Sequence, residues 1–275
     1  MIISIWVASL FLETHAKVLR PISWINHKKV DECSGIIFSK QYKDIVWTHN
    51  DSGGKARIFP LINFKKSKKL IKKVKLKGAT NHDFEDIAHY MDNQIIIADT
   101  GNNSNNRRDL ALYIIQEPNP YRDKKVEVIK KIRFSYPDQY FDGNDLENFD
   151  SEAIYTRGVD IYLLTKHRSD TYTKLYKFKN INHQKAELSL MDTFDIKGKV
   201  TAADSDQSAV VVLTDQGIWL FSGIEENIFQ REVHMLEIEA NQVEAVALKG
   251  EKIYITNEQR QVFVVERREL RLYHP

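Results

Sequence analysis

Cysteine is all but missing. Cys33 is the single one in 275 residues, so no internal disulfide staples the fold, and cysteine usage does not report the redox compartment. Sitting in the apolar run CSGIIF, it reads as a small buried thiol and not as a nucleophile. Proline (6) and glycine (11) are not abundant, which excludes a linker-rich or low-complexity chain. No helical 3.6-residue periodicity persists, and no interior stretch approaches the ~18 apolar residues of a membrane span. Charge of one sign is lacking too. The 40 Lys and Arg residues face 38 Asp and Glu, a net +2, which gives no strong draw toward nucleic acid.

Recognised reaction motifs are also missing. There is no GxSxG elbow and no HExxH or HxxEH pair for zinc. Gly53-Gly54-Lys55 lacks the first glycine and the trailing Ser or Thr of a phosphate loop. HNDSGG is more simply a tight hairpin turn.

What the chain does contain is a repeat. ECSGIIF from Glu32, DFEDIAHY from Asp83, DSEAIY from Asp150, VTAADS from Val200 and VEAVAL from Val243 are five copies of one strand start. Each is followed by runs of Val, Ile, Leu and aromatic residues broken by Asp, Asn, Gly or Ser, the pattern of β-hairpins. The steps from Gly35 to Glu85, Glu152, Thr201 and Glu244 are 50, 67, 49 and 43 residues. Such steps fit four-stranded antiparallel blades and predict an all-β fold, a single β-propeller of five blades. A sixth, degenerate blade over 123–150 is the alternative. The strand-like segment Val18–Ile25 is expected to join the last blade beside Arg271–Tyr273, closing the ring by pairing the termini. Residues 17–275 form the propeller domain.

Residues 1–16 stand apart. An apolar stretch, Ile2–Leu12, precedes Thr14-His15-Ala16, the small-residue pattern of a signal peptidase site, with cleavage before Lys17. No Lys or Arg precedes the apolar run, so an ordinary first strand is the competing reading. Cleavage implies export, periplasmic or secreted. A second segment, with Lys65, Lys66, Lys68, Lys69, Lys72, Lys73, Lys75 and Lys77, reads as an outermost strand whose lysines deter edge pairing, ahead of an anion contact.

In an antiparallel meander the start of the first strand and the end of the second share one face. That places Ser34, Glu85, Glu152, Thr201 and Glu244 at one mouth of the channel. The turn residues His49, Asn50, Asp51, Asp99, Asn102, Asn103, Arg107, Lys166, Arg168, Asn257 and Glu258 gather around them as candidate ligand contacts. Converging carboxylates need compensation. Calcium, with 6 to 8 oxygen ligands and tolerant geometry, supplies it; hydrogen bonds from backbone amides of neighbouring blades are the alternative.

The blade starts SGI, DFEDIA, DSEAI and VEAVA, with the turns HNDSGG and IADTGNN, resemble uncharacterised exported bacterial β-propeller proteins. They are more distantly similar to the SdiA-regulated, NHL-type five-bladed propellers, and the spacing also resembles the calcium-activated nucleotidases, the soluble apyrases. These resemblances imply five blades with calcium in the channel. By position, Ser34, Glu85, Glu152, Thr201 and Glu244 match the apyrase ligands, while Gly35 stands where that family pairs a glutamate with its serine. Two functions follow. One is a monomeric, non-catalytic exported propeller binding a small molecule or protein at the channel mouth. The other is a calcium-dependent hydrolase of phosphoanhydride or lactone bonds.

Overall fold

The computed structural model describes residues 16–27, 29–64, 72–143, 148–183 and 185–274. Residues 1–15 of the leader reading (1–16) and the first part of the lysine-rich segment (65–71) lie outside the described residues.

Two short strands open the described chain, β1 (Lys17–Val18) and β2 (Ser23–Trp24). A first antiparallel meander follows: β3 (Cys33–Phe38), β4 (Ile45–Asn50), β5 (Arg57–Ile62) and β6 (Val74–Lys77). The second runs through β7 (Phe84–Tyr90), β8 (Gln94–Asp99), β9 (Ala111–Gln116) and β10 (Lys125–Arg133). The third comprises β11 (Asp150–Arg157), β12 (Asp160–Lys166), β13 (Tyr172–Lys179) and β14 (Glu187–Asp195). The fourth comprises β15 (Val200–Ser205), β16 (Ala209–Thr214), β17 (Gly217–Ser222) and β18 (Glu232–Glu239). The last stretch contains β19 (Val243–Lys249), β20 (Lys252–Asn257), β21 (Gln261–Glu266) and β22 (Arg271–Leu272), with β2 pairing onto β21.

Each meander begins with a strand buried along most of its length, on both faces. β3 is buried throughout and β4 at every residue but the last. Outer strands alternate, as in β6, where Val74 and Leu76 point inward and Lys75 and Lys77 outward. The first strands touch in sequence, β3 on β7, β7 on β11, β11 on β15, β15 on β19, and β19 back on β3. Apolar clusters fill the space between neighbouring sheets. Ile37, Trp47, Ile87 and Ile97 join the first to the second; Ile96, Leu112, Ile154 and Leu163 join the second to the third. Equivalent clusters lie between the third and fourth, the fourth and fifth, and the fifth and first sheets. Burial of these faces is the main driving force, since a single sheet has nothing to cover it.

Two expectations change on the structure. The lysine-bearing β6 is no free edge: it pairs in parallel with β10, so the first two meanders form one eight-stranded sheet. The termini also part company. β2 lies in the last sheet, but β22 pairs with β18, as does β1. Buried Leu270 sits in the cluster between the fourth and fifth sheets, and Tyr273 packs edge-on against Trp219 at 4.8 Å. Those two anchors carry the C-terminus across to the fourth sheet. The 123–150 region supplies β10 as the outer strand of the second meander, and its described remainder holds no strand before Asp150.

Candidate functional site

The same irregularity opens every first strand. Between β3 and β4 the register jumps from Cys33 to Gly35, and between β7 and β8 from Phe84 to Asp86. It jumps from Asp150 to Ala153, from Val200 to Ala202 and from Val243 to Ala245 in the other three. A bulge leaves one residue unpaired and re-aims its side chain. The residues in these jumps are Ser34, Glu85, Ser151 with Glu152, Thr201 and Glu244. The five oxygen-bearing candidates of the sequence are thus all bulge residues.

Four of them line one cavity. Ser34, Glu85, Glu152 and Glu244 surround about 220 Å³ together with Asp51, Asn103, Lys166, Arg168 and Glu258. Glu32, the first residue of the first repeat, joins them. Carboxylate oxygens of Asp51, Asp83 and Glu85 lie within 4.8 Å of one another, as do those of Glu85, Asp150 and Glu152. Glu85 belongs to both groups.

Some of this charge is compensated. Lys166 Nζ donates to both oxygens of Glu152 at 2.5 Å, and Arg168 Nη2 donates to Asp150 Oδ2 at 2.6 Å and to Asn103 Oδ1. The rest is not. Among the described residues no hydrogen bond or ion pair reaches the Glu85 or Glu244 carboxylate. Burial, reinforced by Glu152 and Asp51, holds Glu85 well above the ordinary carboxylate range. Burial and Asp51 push Asp83 up to about 7. Burial takes Glu152 to about 8 even against the pull of Lys166, and Glu244 to about 7. Lys166 stays above the ordinary lysine range because Glu152 outweighs the burial that would lower it.

The backbone makes room for these oxygens at Gly101. A Cβ there would sit 2.1 Å from Glu85 Oε1 and 2.2 Å from Asp83 Oδ2. Gly35 is explained differently: a Cβ would meet His49 Nε2 at 2.6 Å and Ile87 Cγ2 at 3.0 Å, so β3 and β7 approach too closely for any side chain.

The other candidates hold the walls. Thr201 is buried outside the cavity lining, its Oγ1 without a hydrogen-bond partner among the described residues. His49 is fully buried, with Nδ1 on the Asn50 carbonyl at 3.1 Å, and burial pushes it down to about 4. Asn50 donates to the Lys29 carbonyl at 2.9 Å and to Asp31. Arg107 binds the Gly101 carbonyl (2.7 Å), Asp99 (3.2 Å) and Asp109 (3.1 Å), clamping the loop after β8. Asp99 also accepts the Asp83 amide at 2.9 Å. Asn102 ties that loop to the third sheet through Asp150 and the Phe149 carbonyl. Asn257 is buried and bonded to the Asn241 carbonyl and to Gln261.

Asp86 and Asp204, neighbours of the bulges, follow the backbone-amide alternative. Asp86 accepts the amides of Ile87 (2.8 Å), Ile154 (2.8 Å) and Ala203 (3.3 Å), joining β7, β11 and β15. Asp204 accepts those of Ser205 and Leu248, both at 2.8 Å, joining β15 to β19. The far ends of the same strands open on a larger cavity, about 1030 Å³, lined by Lys40, His89, Arg157, Asp204 and Lys249 among others.

No protein-family model and no curated protein matches the chain. Among solved structures it is similar to Myxococcus xanthus glutaminyl cyclase, with 10% identity, a TM-score of 0.54, and coverage of 95% of this chain and 100% of that one. It is also similar to a structure of a nidogen/laminin complex (14% identity, TM-score 0.49, 88% and 82% covered). A third is the WD40 β-propeller domain of Doa1 (13% identity, TM-score 0.40, 83% and 62% covered). The first of these likenesses is one of fold. Four-stranded meanders packed face to face around touching first strands define a β-propeller scaffold.

Proposed function

We propose that the chain is a five-bladed propeller, closed where β2 completes the last blade, that is exported and binds calcium at its acidic mouth. There it presents a ligand- or protein-binding surface and performs no catalysis. The observation that carries this reading is the set of bulges in the five first strands, four of which bring Ser34, Glu85, Glu152 and Glu244 around one cavity. The donor set fits a hard cation. It consists of oxygens alone, no ion pair reaches Glu85 or Asp83 among the described residues, and Gly101 leaves the space in front of them clear. Neither histidine nor cysteine enters either carboxylate group, which speaks against zinc.

Bound there, calcium would supply two positive charges to a mouth where carboxylates outnumber cations. Asp51, Asp83 and Glu85 would hold it, with Glu152 released from Lys166 as a further ligand. The export reading rests on residues 2–16 of the sequence. A second reading, a calcium-dependent hydrolase of phosphoanhydride or lactone bonds, draws on Lys166 and Arg168 facing the same cavity. Both cations are already committed to Glu152 and Asp150, so the binding role is preferred.

The test is thermal unfolding of the full chain with calcium and with chelator. Calcium should raise Tm by mass action on the folded state. Glu85→Gln should remove the rise, and Lys166→Gln should enlarge it, because an ammonium competes with the cation for Glu152. Superimposable melting curves with calcium and chelator would eliminate the metal site.

A further inference from the structure

Just outside the acidic mouth the charge reverses. A cavity of about 300 Å³ beside the HNDSGG turn is lined by Lys29, Lys55 and Arg57, with Asp31 the only acid among the described residues that line it. Asp31 is already occupied, accepting from Asn50. Lys73 and Lys75 of the β6 segment extend the cluster. Lys75 lies opposite Arg57 on one side and opposite Lys125 on the other. Lys73 interacts directly with Lys29 and feels Arg57 and Lys75, which push its ammonium below the ordinary lysine range. Like charges set opposite one another across strands destabilise a sheet.

Among the described residues none of Lys29, Lys55, Arg57, Lys73 or Lys75 makes an ion pair. Among the described residues Arg57 spends only Nε, on the Lys55 carbonyl at 3.2 Å, and its two terminal amines have no partner there. Edge protection does not account for these lysines, because β6 is paired on both sides. Contrast Lys77, which has Glu127 at 2.9 Å.

We propose that this cavity binds a tetrahedral oxyanion of the phosphate or sulfate class, gripped by the Arg57 fork and by the ammonium groups of Lys29 and Lys55, with Lys73 adding positive charge beside Lys29. The planar guanidinium matches two oxyanion oxygens, and the ammonium groups add point charges around it. The cavity has the volume for one such group, free or carried on a chain of them. The site is independent of the calcium reading: it shares no side chain with the acidic cavity.

Titrate the full chain with sodium phosphate, sodium sulfate and tripolyphosphate at constant ionic strength made up with chloride, following Tm and binding heat. Saturable binding of phosphate or sulfate is expected, weakened roughly tenfold or more in Arg57→Gln. Binding of tripolyphosphate alone would assign the site to a phosphate chain instead of the free ion. Lys55→Gln, on an exposed turn, gives a second variant that should fold and should also bind more weakly. In chloride alone neither variant should lose stability, because each relieves like-charge repulsion. No saturable binding of any of the three anions, or binding that both variants retain in full, overturns the proposal.

Discussion

At the scale of single residues, two titratable groups at the far mouth work against each other. His89 is largely buried, and burial with Lys40 nearby pushes it down to about 4 from an ordinary 6.5 while Nε2 donates to the Phe38 carbonyl at 2.7 Å. Between those values the unfolded chain holds a proton that the folded chain lacks, so His89 adds stability as pH rises. Burial pushes Asp204 up from 3.8 to about 7, against its two amide bonds. Between those values the folded chain holds the extra proton, so Asp204 removes stability as pH rises. Over pH 4 to 6.5 the two slopes oppose. Relative to the parent, His89→Gln should tilt the curve of unfolding free energy downward with rising pH. Asp204→Asn should tilt it upward, each by up to about 1.4 kcal/mol per pH unit. Urea unfolding at half-unit pH steps measures both tilts. Three parallel curves would mean that neither group titrates out of its ordinary range.

At the scale of elements, the bulge separates two acids that the sequence presents as equals. DFEDIA carries Glu85 and Asp86 side by side, and the repeat alone does not tell their roles apart. The register jump at β7 sends Glu85 into the acidic cavity and leaves Asp86 to bind amides of three strands. A bulge is a relation between two strands, so it has no local signature in either one. Deleting the Asp86 carboxylate orphans the buried amides of Ile154 and Ala203, at roughly 1–3 kcal/mol for each group left unsatisfied. Asp86→Ala should therefore lower unfolding free energy by about 2–6 kcal/mol, and Asp86→Asn by less, since its amide oxygen still accepts. Guanidinium unfolding decides it. A loss below 1 kcal/mol in Asp86→Ala would show that water replaces the carboxylate and that the strands do not depend on it. The strand pattern, by contrast, was legible throughout, because the apolar runs of first and second strands are long and the turns between them polar. What escaped was packing across strands: the contact of β3 on β7 that requires Gly35, the space at Gly101, and the parallel seam between β6 and β10.

At the scale of the whole molecule, the proposed closure of the ring depends on a few residues near the start of the described chain. β2 contributes only Ser23 and Trp24 to β21, yet the surrounding segment adds more. Leu19 and Ile25 are buried, Ser23 Oγ donates to the Phe64 carbonyl at 2.6 Å, and β1 pairs with β18. Burying two aliphatic side chains is worth roughly 1.5–3 kcal/mol each, so this clasp stabilises the ring by about 3–6 kcal/mol before its backbone hydrogen bonds are considered. Removing residues 1–25 should lower unfolding free energy by about that amount relative to a chain lacking only residues 1–16. The shorter chain would also leave β21 with a free edge, a template for pairing with another copy. Light scattering should then show concentration-dependent association that the 1–16 deletion does not. If the two truncations unfold together and both stay monodisperse, the N-terminal segment is an ornament on a ring held by β3 against β19 alone. A shared loss of stability without association would instead mean that the β21 edge is shielded by the polar Gln261 and charged Glu266 at its ends, and that closure serves stability and not solubility.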